Sequence, residues 1–264
     1  MRLTSFILIS SSLFACMRNS TTDVDTAEST VDSSDSVSAE GDVMTAAVDG
    51  ADVAGFTAAT AADVSARIVA NIGLRMQPAG CATVTQSGAN ITVVYNDCTG
   101  PRGLVHVTGE LDLVVSLAID GSITVHGTAT NLEVNAATLD VDADAVYKTA
   151  GTSHTLTVQT HGSGTGPRGN TIDHVGNYTM TWDTASECRA IVGDWSTELT
   201  QAGAASATRS NDVDLERCAG GCPTGTITHH YLGGASITVT FDGTATASWS
   251  ASTGRSGTVA LACR

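Results

Sequence analysis

A long alternation of apolar and polar residues runs from Gly103 to Leu117. Every second position is apolar apart from Gly109, and the positions between them include His106, Glu110 and Asp112. A period of two is typical of a strand with one face in a core and the other in water. The stretch therefore predicts a long β-strand with acidic side chains on its polar face.

Comparable strand patterns continue to the end of the chain. They cover residues 132–147, 154–159, 176–182, 190–200, 223–231, 235–241, 245–251 and 256–263. The 27 glycines are suited to the turns between such strands. We therefore predict an all-β fold, an antiparallel meander whose sheet forms a sandwich, a half-barrel or a closed barrel.

The parity of apolar residues constrains the turns between strands. Leu117 and Ile123, on either side of Asp120-Gly121, are both odd-numbered. A three-residue loop with Gly121 in a left-handed conformation keeps both on one face of the sheet, whereas a two-residue turn does not. Because the same parity flanks Asp242-Gly243, we predict bulged hairpins at both places.

One short helix precedes the strands. Thr60 and Asp63 resemble a capping box in which Asp63 replaces the usual Glu or Gln. Apolar residues then recur every four positions, at Val64, Ile68 and Ile72. The pattern predicts a helix over residues 61–72 that packs this stripe on the sheet.

The charge of the chain is concentrated in its first quarter. The formal net charge is −15, and nine acidic residues precede residue 56: Asp23, Asp25, Glu28, Asp32, Asp35, Glu40, Asp42, Asp49 and Asp52. The negative charge argues against a nucleic-acid partner. Residues 16–56 have the composition of a disordered, self-repelling spacer. They would join the N-terminus to a β-rich domain over residues 57–264.

The first residues have the features of an export signal. Arg2 gives a short basic start, and an apolar stretch leads to Ala15. The run Leu13-Phe14-Ala15-Cys16 resembles the lipobox of bacterial lipoproteins. The resemblance implies that residues 1–15 are removed and that Cys16 carries a diacylglycerol on its thiol. The alternative is an ordinary secretory signal that is cut elsewhere.

The lipobox resemblance also gives a location. Met17 follows the cysteine, in place of the Asp that favours inner-membrane retention in many relatives, so we expect the outer membrane. The stretches Asp97–Leu104 and Cys222–Gly225 resemble DC-x-GP-x-GL and CP-x-G stretches of poorly characterised cell-envelope lipoproteins. This second resemblance implies no function.

Six cysteines remain after Cys16, an even number that suits an oxidising compartment. We expect Cys81 and Cys98 to close a hairpin, with Val84 opposite Tyr95, and to contribute about 3 kcal/mol on the chain-entropy model.

The last four cysteines are assigned by distance. In a flat meander, Cys222 and Cys263 lie three strand spacings apart, about 14 Å, which is too far for a disulfide. We therefore favour Cys218–Cys222 and Cys188–Cys263.

Three carboxylates share one face of a predicted strand, at Asp140, Asp142 and Asp144. A neighbouring strand could add Glu110 and Asp112, and such a group could bind Ca²⁺. The simpler interpretation is a solvated polar face, and we expect no cofactor.

A second possible metal motif lies at the late cysteines. Cys218, Cys222, His229 and His230 could be drawn as a zinc site, but adjacent histidines in a strand point to opposite faces. Disulfides are the better interpretation in an exported chain.

These features favour a lipid-anchored, non-enzymatic protein of the cell envelope with a binding or structural role. Its partners would be the membrane, through the lipid, and an unidentified surface or periplasmic ligand. Two alternatives stay open. One is a carrier of an apolar ligand held in a half-barrel or barrel. The other is a surface hydrolase that uses carboxylates such as Asp112 or Asp142.

Overall fold

The computed structural model describes residues 60–72, 76–99, 106–134, 137–166, 169–183, 185, 188–200, 207–218, 221–230 and 234–261. The predicted signal peptide, the lipidation of Cys16 and the acidic spacer lie outside these residues. Cys263 also lies outside them.

The described residues form one helix and thirteen strands. The elements are α1 (Ala61–Ile72), β1 (Ala82–Ser87), β2 (Asn90–Thr99), β3 (His106–Leu117), β4 (Ile123–Val134), β5 (Ala137–Ala150), β6 (Ser153–Thr165), β7 (Thr171–Asp183), β8 (Cys188–Thr200), β9 (Ala207–Cys218), β10 (Thr224–His230), β11 (Ser236–Asp242), β12 (Thr246–Ala251) and β13 (Ser256–Ala260).

The strands form a single sheet in chain order, from β1 to β13. Each strand pairs antiparallel with the next, and the sheet is not closed. The predicted all-β antiparallel meander with one short helix is therefore confirmed.

Two parts of the predicted strand pattern differ from the structure. The apolar stretch 132–147 is shared between β4 and β5 and is not one strand. The prediction also missed β9, in which few large apolar residues signal a strand; Val213 and Leu215 are buried there.

Both predicted odd-numbered hairpin loops are confirmed. Leu117 lies opposite Ile123, and the backbone N–H of Ala118 donates to the oxygen of Ser122 at 2.9 Å. Gly121 has a φ of 83°, which closes the three-residue loop in the left-handed region. At the second turn, Phe241 lies opposite Ala247, so both stay on the buried face.

Helix α1 begins at the predicted capping box. The Asp63 carboxylate accepts hydrogen bonds from the backbone N–H of Thr60 at 2.9 Å and from its hydroxyl at 2.8 Å. The Thr60 hydroxyl in turn accepts from the Asp63 N–H at 3.2 Å. These bonds lower the pKa of Asp63 below its ordinary value. The helix thus begins and ends as predicted, at residues 61 and 72.

The helix covers one face of the first three strands, here called the inner face of the sheet. Ile68 is 0% exposed and contacts run from α1 to β1, β2 and β3. The Gln86 side chain of β1 donates to the Ala62 carbonyl at 2.8 Å, which ties the helix to the sheet edge. Leu113 and Val115 of β3 belong to the same buried cluster, so the apolar face of β3 is covered.

Five aromatic residues on the inner face lie directly opposite a glycine of a neighbouring strand. The pairs are Tyr95–Gly109, Gly176–Trp195, Tyr178–Gly193, Gly225–Phe241 and Trp249–Gly257. A Cβ at Gly257 would lie 2.8 Å from the indole nitrogen of Trp249, so the ring occupies the space that a side chain would take. Glycine at these positions lets large rings lie against neighbouring backbone and lets a sheet curve.

The first predicted disulfide is confirmed, since Cys81 and Cys98 are bonded with Cα atoms 5.4 Å apart. Val84 lies opposite Val93, however, and the predicted position opposite Tyr95 is wrong. The register of β1 and β2 is set by Ser87 lying opposite Asn90, and a bulge separates Tyr95 from Cys98 in β2.

The predicted pairs Cys218–Cys222 and Cys188–Cys263 are wrong. Cys188 is bonded to Cys218, with Cα atoms 3.8 Å apart. The reason is the unpredicted strand β9, whose last residue lies directly opposite the first residue of β8. Cys222 is also disulfide-bonded.

Candidate metal site on the outer face

The outer face of the sheet, opposite the one that α1 covers, carries repeated histidine–aspartate pairs. Four of the seven histidines lie within 4.0 Å of a carboxylate there: His106 with Asp97, His126 with Asp144 and Asp142, His161 with Asp173, and His230 with Asp212. Every side chain in these pairs is at least 43% exposed. The outer face therefore offers imidazole nitrogens and carboxylate oxygens to solvent.

His126 differs from the other three histidines because two carboxylates flank its ring. Its Nδ1 lies 2.9 Å from Oδ1 of Asp144, and its Nε2 lies 4.0 Å from Oδ2 of Asp142. One ligand atom from each of the three residues lies within 4.8 Å of the others. This is the spacing at which side chains converge on one metal ion.

The register of β4 and β5 builds this group. Asp142 and Asp144 are two residues apart, so both point to the outer face of β5. His126 of β4 lies opposite Asp144, while Thr128 lies opposite Asp142. The imidazole is therefore placed directly across from one carboxylate and diagonally from the other.

The structure brings together two of the three predicted carboxylates. Asp140 is separate, because its carboxylate accepts a hydrogen bond from the backbone N–H of Asn131 at 2.8 Å. Asn131 has a φ of 54° and lies in the bulge where the register of β4 and β5 shifts. Asp140 thus provides the hydrogen-bond acceptor for a backbone N–H group in the bulge of the neighbouring strand β4.

The carboxylates of β3 do not join the group. Strand β4 lies between β3 and β5, so Asp112 and Asp142 are two strand spacings apart, roughly 9–10 Å. Asp112 instead accepts a hydrogen bond from the Thr92 hydroxyl at 2.7 Å. The neighbouring strand β4 contributes His126, which no sequence pattern singled out.

The late cysteine and histidine motif is divided between separate environments. Cys218 is in a disulfide, His229 is buried on the inner face, and His230 is exposed beside Asp212 at 2.9 Å. The adjacent histidines do point to opposite faces, as predicted. Glu216 lies near the Cys188–Cys218 sulfurs, but a disulfide has no thiolate to offer a metal.

The inner face also holds polar and aromatic groups. The rings of Tyr147, His154 and Trp182 stack with centroids 5.3 to 5.8 Å apart, and the Tyr147 hydroxyl lies 2.5 Å from Nδ1 of His154. Burial lowers the pKa of His174, whose Nδ1 lies 2.8 Å from the Thr197 hydroxyl. Tyr147 and Trp182 are buried there, whereas His154 and His174 are half-buried.

No protein-family model, curated protein or solved structure matches this chain. Among the described residues, no helix combines the length and the apolar character needed to span a bilayer.

Proposed function

We propose that this chain is a lipid-anchored protein of the cell envelope with a non-enzymatic role in binding or surface structure. The lipid is attached to Cys16 in the outer membrane. The acidic spacer of residues 16–56 holds the β domain away from the anionic membrane surface.

The disulfide bonds carry this proposal. Cys81, Cys98, Cys188 and Cys218 form two bonds, and Cys222 is bonded as well. Disulfides form and persist in exported proteins and are rare in the cytosol. They support the interpretation of residues 1–15 as an export signal, and with it the lipobox at Leu13–Cys16.

The two faces of the sheet support a binding or structural role. The inner face is filled by one buried cluster that includes Ile68 of the helix and Val115 of β3. The outer face exposes carboxylates and histidines that are paired with one another. A ligand or partner would therefore meet the outer face.

Metabolic labelling tests the anchor. The full chain is expressed in a Gram-negative bacterium with an alkyne analogue of palmitate, and membranes are separated from soluble material. We expect labelled protein in the outer-membrane fraction, and unlabelled protein when Cys16→Ser is expressed. A wild-type chain without label, or a Cys16→Ser chain that keeps it, would contradict the proposal. Cys81→Ser serves as the control that changes a cysteine but keeps the label.

The apolar-ligand carrier and the surface hydrolase remain predictions. The first would need space beside the inner face of β3, where Leu113 and Val115 are buried. The second would need Asp112 or Asp142 to act on a substrate, and these two lie on strands separated by β4.

A further inference from the structure

One group of free metal-ligating side chains converges within the part of the chain that the structure describes. One ligand atom each from His126 of β4 and from Asp142 and Asp144 of β5 lies within 4.8 Å of the other two. The other convergent group among the described residues contains the sulfurs of Cys188 and Cys218, which are bonded to each other. The remaining outer-face pairs described above bring one histidine to one carboxylate. The group at His126 is therefore the one in which an imidazole meets two free carboxylates.

Regular strand pairing fixes the backbone that carries these ligands. The register of β4 with β5 is unbroken over residues 123–129, and the bulge follows only after them. Val125, which precedes His126, lies directly opposite Ala145, which follows Asp144. Both are 1% exposed on the inner face. Ligands on packed strands are held more precisely than ligands on loops, so only side-chain torsions need to change when an ion binds.

The distances within the group suit a shared ion. Nδ1 of His126 lies 2.9 Å from Oδ1 of Asp144, and its Nε2 lies 4.0 Å from Oδ2 of Asp142. Zinc bonds to nitrogen and oxygen are about 2.0–2.2 Å long, so two ligand atoms of one ion lie roughly 3–4.4 Å apart. The contact with Asp142 is too long for a hydrogen bond but falls in that range. Small side-chain rotations therefore bring one ring nitrogen and one oxygen of each carboxylate around a single ion.

The charge and the donor atoms decide the class of metal. Two carboxylates and a neutral imidazole carry two negative charges, which one divalent cation neutralises. Lys148, the lysine of the same strand, is engaged elsewhere, because its Nζ lies 3.6 Å from Oδ2 of Asp120. An imidazole nitrogen together with carboxylate oxygens suits Zn²⁺, Cu²⁺ and Ni²⁺, whereas Ca²⁺ prefers oxygen ligands alone.

We propose that His126, Asp142 and Asp144 bind one divalent transition-metal ion on the outer face of the sheet. One ring nitrogen and one oxygen of each carboxylate coordinate the ion. Water fills the other coordination positions, because each of the three side chains is more than two-fifths exposed. The inference goes beyond the proposed anchor at Cys16 and does not depend on it, so this test and the labelling test can fail separately.

The test is a Zn²⁺ titration of the full-length mature protein, expressed without a histidine tag and held in detergent after treatment with a chelator. Isothermal titration calorimetry measures the Kd for wild type, His126→Gln, Asp142→Asn and Asp144→Asn. Circular dichroism in the absence of metal confirms that each variant is folded. Electron paramagnetic resonance with one equivalent of Cu²⁺ then reports the nitrogen atoms bound to the metal.

Two neighbouring residues provide matched controls. His161→Gln removes an outer-face imidazole on β6, whose Nε2 lies 3.8 Å from Oδ2 of Asp173. Asp140→Asn removes a negative charge from β5 itself, and its amide oxygen can still accept the hydrogen bond from the backbone N–H of Asn131. These two variants separate coordination from the general attraction of a cation to an acidic face.

We expect one saturable Zn²⁺ site that is weaker by about tenfold or more in each ligand variant and stays within about twofold of wild type in both controls. The Cu²⁺ spectrum should show coupling to one nitrogen in wild type and in His161→Gln, and none in His126→Gln. No saturable Zn²⁺ binding would overturn the proposal. Equal weakening by either control variant, or displacement of Zn²⁺ by equimolar Ca²⁺, would also overturn it.

Discussion

Gly193 lies on the inner face of β8, directly opposite Tyr178 of β7. A Cβ at this position would lie 2.3 Å from the backbone oxygen of Asn177 and 2.6 Å from Cα of Tyr178. Both atoms belong to the backbone of β7, which pairs with β6 on one side and with β8 on the other. We therefore expect Gly193→Ala to destabilise the protein, because β7 must shift to admit one methyl group.

The magnitude follows from two opposing terms. Overpacking of a close-packed interior costs roughly 1–3 kcal/mol, and a clash with backbone belongs at the upper end of that range. Replacing a strand glycine with alanine returns about 0.5–1 kcal/mol, because the unfolded chain loses freedom. The expected net loss for Gly193→Ala is about 2 kcal/mol in the free energy of unfolding.

Gly162→Ala provides a matched control. Gly162 is a buried strand glycine in β6, but its nearest atoms, Cβ of His174 and the oxygen of Asp140, lie at ordinary contact distances of 3.8 and 3.9 Å. We expect this change to be neutral or to stabilise by about 0.5 kcal/mol.

The assay is equilibrium unfolding in urea, with the disulfides intact, followed by tryptophan fluorescence. We expect the urea midpoint to fall in Gly193→Ala and to stay the same or rise in Gly162→Ala. Unfolding of the two variants at the same urea concentration would refute this expectation.

Three further predictions test other parts of the structure. Ile68→Ala should lower the free energy of unfolding in urea by roughly 2–5 kcal/mol, because the side chain is fully buried between helix and sheet; an unchanged value would contradict the packing of α1. Removal of the Cys188–Cys218 bond, which spans 30 residues, should cost about 3–4 kcal/mol in thermal unfolding. Mass spectrometry of non-reduced peptides should show this bond, and a link from Cys188 to any other cysteine would contradict it. Ser122 donates two hydrogen bonds to the Asp120 carboxylate, which lower the pKa of Asp120 below its ordinary value of 3.8. The contact therefore stabilises the folded state above pH 3.8, and this stabilisation is lost as the pH falls through the lowered pKa of the folded state. An NMR titration should show that pKa rise towards 3.8 in Ser122→Ala, and an unchanged pKa would refute this cause.

Local patterns in the sequence predicted the local parts of the fold. The helix over residues 61–72 follows from its capping box and its four-residue apolar period, both of which act within a few residues. The loop at Asp120-Gly121 follows from the parity of its flanks, and the Cys81–Cys98 bond from a single hairpin. Each of these depends on short separations along the chain.

Long-range register explains what the sequence did not reveal. The cysteine pairs failed because β9 carries few large buried residues, Val213 and Leu215, and its polar pattern gave no strand signal. Without β9, Cys218 had no position opposite Cys188. The distances between these cysteines can be estimated only when every strand of the sheet, including β9, has been recognised.

The histidine of the candidate metal site was missed for a related reason. Asp142 and Asp144 are recognisable from their spacing in one strand, but His126 reaches them across a pair of strands. The register of that pair shifts at a bulge between Ala129 and Leu132. One extra residue in a strand reverses which face its odd- and even-numbered side chains occupy. The pattern of odd and even positions around Leu139 therefore did not show that His126 shares a face with Asp142.

The lipid anchor at Cys16 is the central claim of the proposed function, and the intact mass of the mature protein tests it most directly. The full chain is purified from the membranes of a bacterial host and its mass is measured before and after ester hydrolysis. We predict a chain that begins at Cys16 and carries a diacylglycerol together with an amide-linked acyl group, with the ester-linked chains lost on hydrolysis. A mass that matches a chain cut at another residue and without lipid would contradict the account.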